Sequence, residues 1–458
     1  MSAQGRRPKP WARMRRESAR DLALQILFQT ESRSSFSDRL LETRLKQSEL
    51  TPEDARLVTA LVQGGLRRRA TLDHHLAAFA GAERWENLPS WIRGALRLGA
   101  YQLLYMDRVP SSAAVDESVE LAKKYGHPGT AGLVNAVLRR LAGGERAPFP
   151  DAAADPAGYL AVFHSHPRWI VERWVAQYGP EEAARLLDAD NAEPLVSVRA
   201  NALRMTREQL LDALKEEGVA ADPAPNGGPV LLVRGGFVVG RSRLFREGFL
   251  SLQDEAESLV AAILDSRPGE SVLDLCAAPG GKTAQIAEAV APRGRVVAVE
   301  RHLSRARATR ENLVGRLKVP GAHVVCADGG LPPFRAPFDR VLVDAPCSGL
   351  GVLRRRADAR WRKEAATIPA MVALQRPLLE SGASLVRSGG TLVYSVCSLE
   401  PEETDGILGP FLRDHSEFTV EDANPYVPET FRSADRVFRA TPHRHGTDGV
   451  FAARLRRR

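Results

Sequence analysis

The sequence predicts a multidomain protein: an all-α helical bundle, a small α/β module, and a larger α/β domain built on a doubly wound sheet. Three observations predict it. The chain has 458 residues, more than one domain at roughly 100–200 residues each. From Glu17 to about Arg140 the apolar spacing is helical with no clear strand. From Ser251 onward, short apolar strands alternate regularly with helices.

Composition narrows the class. Hydrophobic residues are 44% and charged residues 26%, ordinary globular usage that excludes wholesale disorder. No apolar run approaches the roughly 18 residues that span a bilayer, and the first sixteen residues lack the apolar core of a secretory signal. Four cysteines without a Cys-x-x-Cys pair argue against a disulfide scaffold or a structural zinc. The expectation is a soluble, reduced, cytoplasmic protein with no metal and no membrane partner.

The elements follow in order. Residues 1–16 form a basic arm carrying Arg6, Arg7, Lys9, Arg13, Arg15 and Arg16 with no acid, suited to phosphate contacts. Residues 17–145 read as about six helices. Leu22/Ile26 and Leu24/Phe28 share a buried face, and Thr51-Pro52-Glu53-Asp54 reads as a helix start. Residues 146–160 are a linker by composition. Residues 161–247 form the small module, with helices at Pro167–Tyr178 and Glu181–Ala189, a capped helix at Thr206–Glu217, and strands at Leu195–Val198, Val230–Val233 and Phe237–Val239. Residues 248–458 form the large domain. Clusters at Arg67–Arg69 and Arg354–Arg356, with Trp361, are candidate nucleic-acid contacts.

The chemistry lies in the large domain. A first strand, Ser271–Leu275, runs into Cys276-Ala277-Ala278-Pro279-Gly280-Gly281-Lys282, and Thr283 opens a helix. Small residues there let backbone approach a ligand, and the helix start offers free N–H donors. The second strand ends at Glu300, where this architecture holds ribose hydroxyls. The third ends at Asp328 and the fourth at Asp344, so three acids ring one crevice. A phosphate-binding loop would need glycine where Cys276 stands, and a dinucleotide fingerprint is absent. Acids at every strand tip suit a nucleoside bearing a positive sulfonium, and S-adenosylmethionine fits that description.

Two thiols follow successive strands on the same edge: Cys347 in Asp344-Ala345-Pro346-Cys347-Ser348-Gly349, and Cys397 in Val396-Cys397-Ser398 before Glu400-Pro401-Glu402-Glu403. Cys326, inside a strand, reads as buried and inert. Carbon 5 of cytosine is too electron-poor to attack a sulfonium methyl unaided. A thiolate adding to carbon 6 makes it enamine-like, and an acid beside the ring assists. These residues leave open which of Cys347 and Cys397 attacks.

Asp274–Thr283, Asp344–Gly349 and Ser395–Glu403 closely resemble motifs of the RNA cytosine-C5 methyltransferases. The resemblance runs from about Phe245 to the end and includes Gln253-Asp254 and Gly446-Thr447-Asp448-Gly449. The N-terminal helices resemble the NusB RNA-binding domain at Gly65–Arg69, Arg97–Gln102 and Val134–Arg140. Together they resemble the NusB-containing 16S ribosomal RNA cytosine-C5 methyltransferases of the Sun type.

The resemblance implies a Rossmann-like catalytic domain that uses S-adenosylmethionine, with 16S ribosomal RNA, free or in an assembling small subunit, as partner to a monomer. It implies that Cys276, Ala277, Ala278, Pro279, Gly280, Gly281 and Lys282 line the cofactor loop, that Glu300 holds the ribose, and that Asp328 sits near the adenine. Asp344 would face both cofactor and base, Cys397 would be the nucleophile and Cys347 would assist release. Glu300 departs from the family's common Asp. The middle module resembles, weakly, the family's small RNA-contacting domain. Three alternatives remain: the same chemistry on transfer RNA or 23S ribosomal RNA, a NusB-like RNA-binding factor without catalysis, and a P-loop NTPase, against which Cys276 speaks.

Overall fold

The structure is a computed structural model and describes residues 18–32, 36–235 and 237–458. The basic arm at 1–16 lies outside the described residues. The chain divides into two compact units. The first comprises residues 1–180 and takes back Arg356–Arg362; the second comprises Glu181–Arg355 and Lys363–Arg458.

The first unit is helical. Among the described residues, eight helices run between Ala19–Ser32 and Pro128–Ala142 where the sequence suggests about six. What reads as continuous periodicity is broken at Arg68, between Pro52–Arg67 and Arg69–Ala80, and at Gly81, whose φ of +89° no helix accommodates. Thr51 caps its helix as expected, its side chain accepting from the Asp54 N–H. Leu22, Leu24, Ile26, Leu61 and Leu98 build one core; Leu72, Leu76, Ile92, Val134 and Leu138 build another.

Two boundaries differ from the sequence reading. The expected linker turns helical within its span, at Pro156–Phe163, where Asp155 accepts from the Gly158 N–H and Pro156 occupies the first helical position. The helix Arg168–Tyr178, expected in the middle module, belongs to the first unit. The returning residues are fixed inside this unit. Trp361 Nε1 donates to the Leu66 carbonyl at 2.7 Å, Asp358 accepts from the Ser37 N–H at 3.3 Å, and the buried Arg360 donates to the Ser165 carbonyl at 3.2 Å.

The second unit opens within the helix Pro180–Asn191, followed by an antiparallel sheet of β1 (Val196–Ala200), β2 (Ala221–Pro223), β3 (Val230–Val233) and β4 (Leu250–Leu252), in the order β2-β3-β1-β4. The strand expected at Phe237–Val239 does not form. Gly235 turns the chain at φ +64°, and Val238 is exposed ahead of a short 3-10 turn at Val239–Arg241.

The main sheet contains β5 (Ser271–Asp274), β6 (Arg295–Glu300), β7 (Ala322–Cys326), β8 (Phe338–Asp344), β9 (Val386–Val396), β10 (Phe418–Glu421), β11 (Phe438–Ala440) and β12 (Val450–Arg457). Its order is β10-β12-β9-β8-β5-β6-β7, with β11 on β12. Strands β5 to β9 pair in parallel, and β12 is antiparallel to β9. Successive residues go to opposite cores: Val272, Leu342 and Val393 to one face, Leu273, Val343 and Tyr394 to the other. That is the signature of a sheet covered on both sides. After β5 the chain builds outward through β6 and β7, then returns to build β8 and β9 on the other side. The crevice beyond β5 and β8 is therefore the topological switch point, where such sheets bind ligands.

Candidate active site

The parallel register of β8 and β9 decides what meets at this crevice. Asp344 pairs with Ser395, so the turns that follow each strand start level. Their cysteines meet: Cys347 Sγ and Cys397 Sγ are 3.0 Å apart, both partly buried. The antiparallel β12, with Phe451 opposite Val396, brings residues 446–449 to the same edge. There Gly449 N donates to the Gly351 carbonyl at 2.7 Å, and Gly351 N donates to the Cys397 carbonyl at 3.2 Å. The contact with Cys347, followed by burial, holds the Cys397 thiol well above the usual thiol range.

The loop after β5 is fastened from outside. Ala277 N donates to the Val299 carbonyl at 3.0 Å, and Asn312 Nδ2 donates to the Pro279 carbonyl at 3.0 Å. Gly280 caps the next helix at φ +98°, a conformation side chains resist, and a Cβ there would meet Thr309 at 3.2 Å. Asp274 is buried and accepts from Thr283 Oγ1 at 2.7 Å; burial pushes its carboxyl up to about 7. The Cys276 thiol is also raised, by burial and then by the nearby acids.

Lys282 is where the phosphate-loop alternative fails. Its ammonium donates to Asp344 Oδ2 at 2.8 Å and to Glu257, and so is already neutralised. Ser395 Oγ donates to the other Asp344 oxygen at 2.7 Å. A cavity of about 500 Å³ opens here, lined by Cys276, Ala277, Ala278, Pro279, Gly281, Lys282 and Asp344. Asp254, Glu257, Asp274 and Asp448 also line it, so five carboxyl groups face two cations, Lys282 and Arg355. Such a wall repels a polyphosphate and suits a cationic ligand.

Glu300 and Asp328 stand at the expected strand tips but do not line this cavity. Glu300 is buried at the end of β6, accepting from the His302 N–H at 2.8 Å with Arg305 3.3 Å away. Asp328 is exposed just beyond β7, accepting from the Gly330 N–H at 2.9 Å. Cys326 is exposed rather than buried, because β7 is the edge strand of the sheet.

Most of the arginine cluster is not free for RNA either. Arg355 donates to both Asp448 oxygens, at 3.0 and 2.8 Å, and to Asp254 at 2.6 Å. Arg354 lies 3.3 Å from Asp448. Buried carboxylates demand such counter-charges. Only Arg356 of the three is exposed, and Trp361 is committed to Leu66. Arg69 is likewise paired, with Glu31 at 3.6 Å and Asp73 at 3.8 Å. Sequence reasoning passed over Glu257, Gln375 and the role of Arg355, since their partners are remote in the chain. Among the described residues no group of acids, histidines and cysteines could hold a metal ion, and no helix is long and apolar enough to cross a membrane.

A switch-point crevice walled by acids, with a small-residue loop and a neutralised lysine, defines the class: a nucleoside-binding α/β methyltransferase domain that follows a helical domain in the chain. Comparison with known proteins carries this further. Residues 261–456 match the family described as 16S rRNA methyltransferase RsmB/F, residues 17–143 the NusB family, and residues 166–238 the ferredoxin-like domain of RsmF/B-like methyltransferases. The "Probable ribosomal RNA small subunit methyltransferase B" of Bacillus subtilis (strain 168) is 35% identical, over 97% of this chain and 100% of its own length. Ribosomal RNA small subunit methyltransferase B of Serratia proteamaculans (strain 568) is 33% identical, over 94% of this chain and 96% of its own. The crystal structure of PH0851 superimposes with a TM-score of 0.80 at 26% identity, covering 95% of this chain and 98% of that one. The chain belongs to the ribosomal RNA small subunit methyltransferase B family, whose members are S-adenosylmethionine-dependent methyltransferases.

Proposed function

We propose that the chain methylates carbon 5 of a cytosine in 16S ribosomal RNA through a transient bond between Cys397 and carbon 6. The observation that carries this reading is the pair of thiols 3.0 Å apart, three residues beyond Asp344 and two beyond Ser395. A methyl transfer to oxygen or an exocyclic nitrogen needs no such pair.

The bound sulfonium nucleoside supplies an electrophilic methyl group. The chain's residues do the rest. Cys276 to Lys282 form its loop, Glu300 takes the ribose hydroxyls and Asp328 lies on the adenine side. The Cys397 sulfur adds to carbon 6 as its proton passes to a ring nitrogen by way of Asp344, which Lys282 and Ser395 fix in place. Carbon 5, now enamine-like, takes the methyl group as the sulfonium's sulfur–methyl bond breaks and the donor is left as a neutral thioether. Loss of the carbon-5 proton then breaks the carbon–sulfur bond, with Cys347 assisting release, and the thiol is restored. A flipped or single-stranded base fits this attack, because carbon 6 is reached from the ring face. On this reading the protein works in the cytoplasm as a monomer, on the RNA or an assembling small subunit.

Substitution tests it. Cys397→Ala should abolish both 5-methylcytosine and any covalent RNA adduct, whereas Cys347→Ala should let an adduct accumulate. The reverse pair of outcomes would exchange the roles. Mapping 5-methylcytosine in cells with and without the protein separates a 16S target from transfer RNA or 23S RNA.

A further inference from the structure

Behind the two thiols lies a side chain that neither the cofactor loop nor the attack uses. Glu403 follows Pro401 in a short 3-10 turn and is fully buried. Its Oε1 accepts from the Ser348 N–H at 2.7 Å and from Gln375 Nε2 at 2.9 Å. Its Oε2 accepts from Ser348 Oγ at 2.5 Å and from Ser398 Oγ. The two hydroxyls lie 3.1 Å apart. Gln375 Nε2 also donates to the Pro346 carbonyl at 3.0 Å. Ser348 directly follows Cys347, and Ser398 directly follows Cys397. One carboxyl group thus joins the residue after each thiol, adding a bridge between the turns to the sulfur–sulfur and hydroxyl–hydroxyl contacts.

Burial of a carboxyl group is tolerated where donors fill its lone pairs, and charge-assisted bonds of this kind are short and directional. The four donors meet that requirement, and three of them come from the two cysteine turns. From this geometry we infer that Glu403 is a positioning residue: it holds the Cys347 and Cys397 turns at the mutual spacing that attack and release require. The assignment rests on the two-thiol reading above. It explains the serine after each cysteine, which supplies the hydroxyl the clamp needs, and it gives Gln375 the task of orienting the carboxyl group.

The test uses the full-length protein, S-adenosylmethionine, and ribosomal RNA carrying either cytosine or 5-fluorocytosine, which traps the adduct because fluorine stands where the departing carbon-5 proton would be. Glu403→Gln keeps the shape but puts a donor where one hydroxyl now donates. It should lower kcat roughly 100-fold, the scale on which a misplacement of about 1 Å acts. Donor affinity and KM for RNA should stay near wild type, since the cofactor loop is fastened elsewhere, and the melting temperature should fall only modestly, as one buried donor loses its acceptor. The single variants should divide the effect: Ser398→Ala slows adduct formation, and Ser348→Ala prolongs the adduct on unmodified RNA. If Glu403→Gln proves insoluble, the serine variants decide alone. A kcat within twofold of wild type in Glu403→Gln, or serine variants that leave both steps unchanged, overturns the role. So does a loss of kcat matched by equal losses of donor binding and thermal stability, which would make Glu403 a scaffold residue only. Wild-type protein that makes neither 5-methylcytosine nor a fluorocytosine adduct refutes the underlying reading, and this role with it; working wild type beside a working variant refutes the role alone.

Discussion

Arg355→Met removes the cation that bridges Asp254 and Asp448 while keeping the side chain's length. Three hydrogen bonds to carboxylates go, with two weaker ones to the Leu195 carbonyl and Ser197 Oγ, and two carboxylates whose side chains are only 5% and 4% exposed lose their shared partner. Breaking a buried pair by deleting one member costs roughly 3–5 kcal/mol. Arg355 is itself 27% exposed and Arg354 remains 3.3 Å from Asp448, so the loss should fall at the lower end, about 3 kcal/mol. At about 1.36 kcal/mol per decade this is roughly a 100-fold rise in local opening. Burial, and next the neighbouring Asp254, already push the Asp448 carboxyl up to about 6, while Arg355 pulls it down. Without Arg355 it rises further, so the folded variant takes up a proton that the unfolded chain has released. The loss should therefore be fullest at about pH 8 and shrink toward about pH 5. Tryptophan fluorescence would miss it, because the second unit's sequence contains no Trp. Hydrogen exchange read by mass spectrometry on peptides covering 250–257 and 446–452 reports it directly. Exchange within threefold of wild type, or a loss that ignores pH, would refute the reasoning.

Three further outcomes are expected. Asp274→Asn copies a protonated carboxyl. Because burial raises Asp274 to about 7, wild type loses stability as pH climbs from about 4 through about 7, and the variant should be more stable by about 1–2 kcal/mol at about pH 8 yet near-neutral at about pH 5, measured by chemical denaturation followed by circular dichroism. Alkylation of Cys397 should speed up only at pH above the ordinary thiol range, and Cys347→Ala, which removes the first cause of that rise, should move the midpoint down; peptide mapping after iodoacetamide labelling reads both. Gly351→Ala would set a Cβ 2.1 Å from the Gly449 carbonyl oxygen and 3.0 Å from that of Cys397, so it should cost about 1–3 kcal/mol in melting experiments and slow methylation at least tenfold.

Most of the site could be read from the chain because its chemistry sits at strand ends. Apolar runs closed by Glu300 and Asp344 announce both the strand and the side chain at its tip, and parallel pairing puts both tips on one edge of the sheet, although only Asp344 lines the cavity. What stayed hidden depends on partners far away in sequence. Arg354 and Arg355 look like free charge until Asp254 and Asp448 fold onto them. Cys326 belongs to an apolar run, but its strand lies at the sheet's edge, and a position within a sheet leaves no mark on five residues. The same holds for Phe237–Val239, where a β-prone run finds no neighbour. The helix at Pro156–Phe163 did carry a local signal, Asp155-Pro156, outweighed by the Gly, Pro and Ala around it.

Because Arg356–Arg362 belong to the first unit although they follow the second cysteine-bearing strand's neighbour β8 in the chain, that unit is not a contiguous stretch of message. A ribosome that has completed Pro180 has not yet made Asp358, Arg360 or Trp361, and the peptide groups at Ser37, Leu66 and Ser165 wait for them. Synthesis thus imposes an order of maturation: the helical part can collapse early, but it closes only after the first thiol of the pair has emerged. A truncation after residue 180 would release an unfinished body, and excising the helical part would strand seven residues of the remainder without their seats.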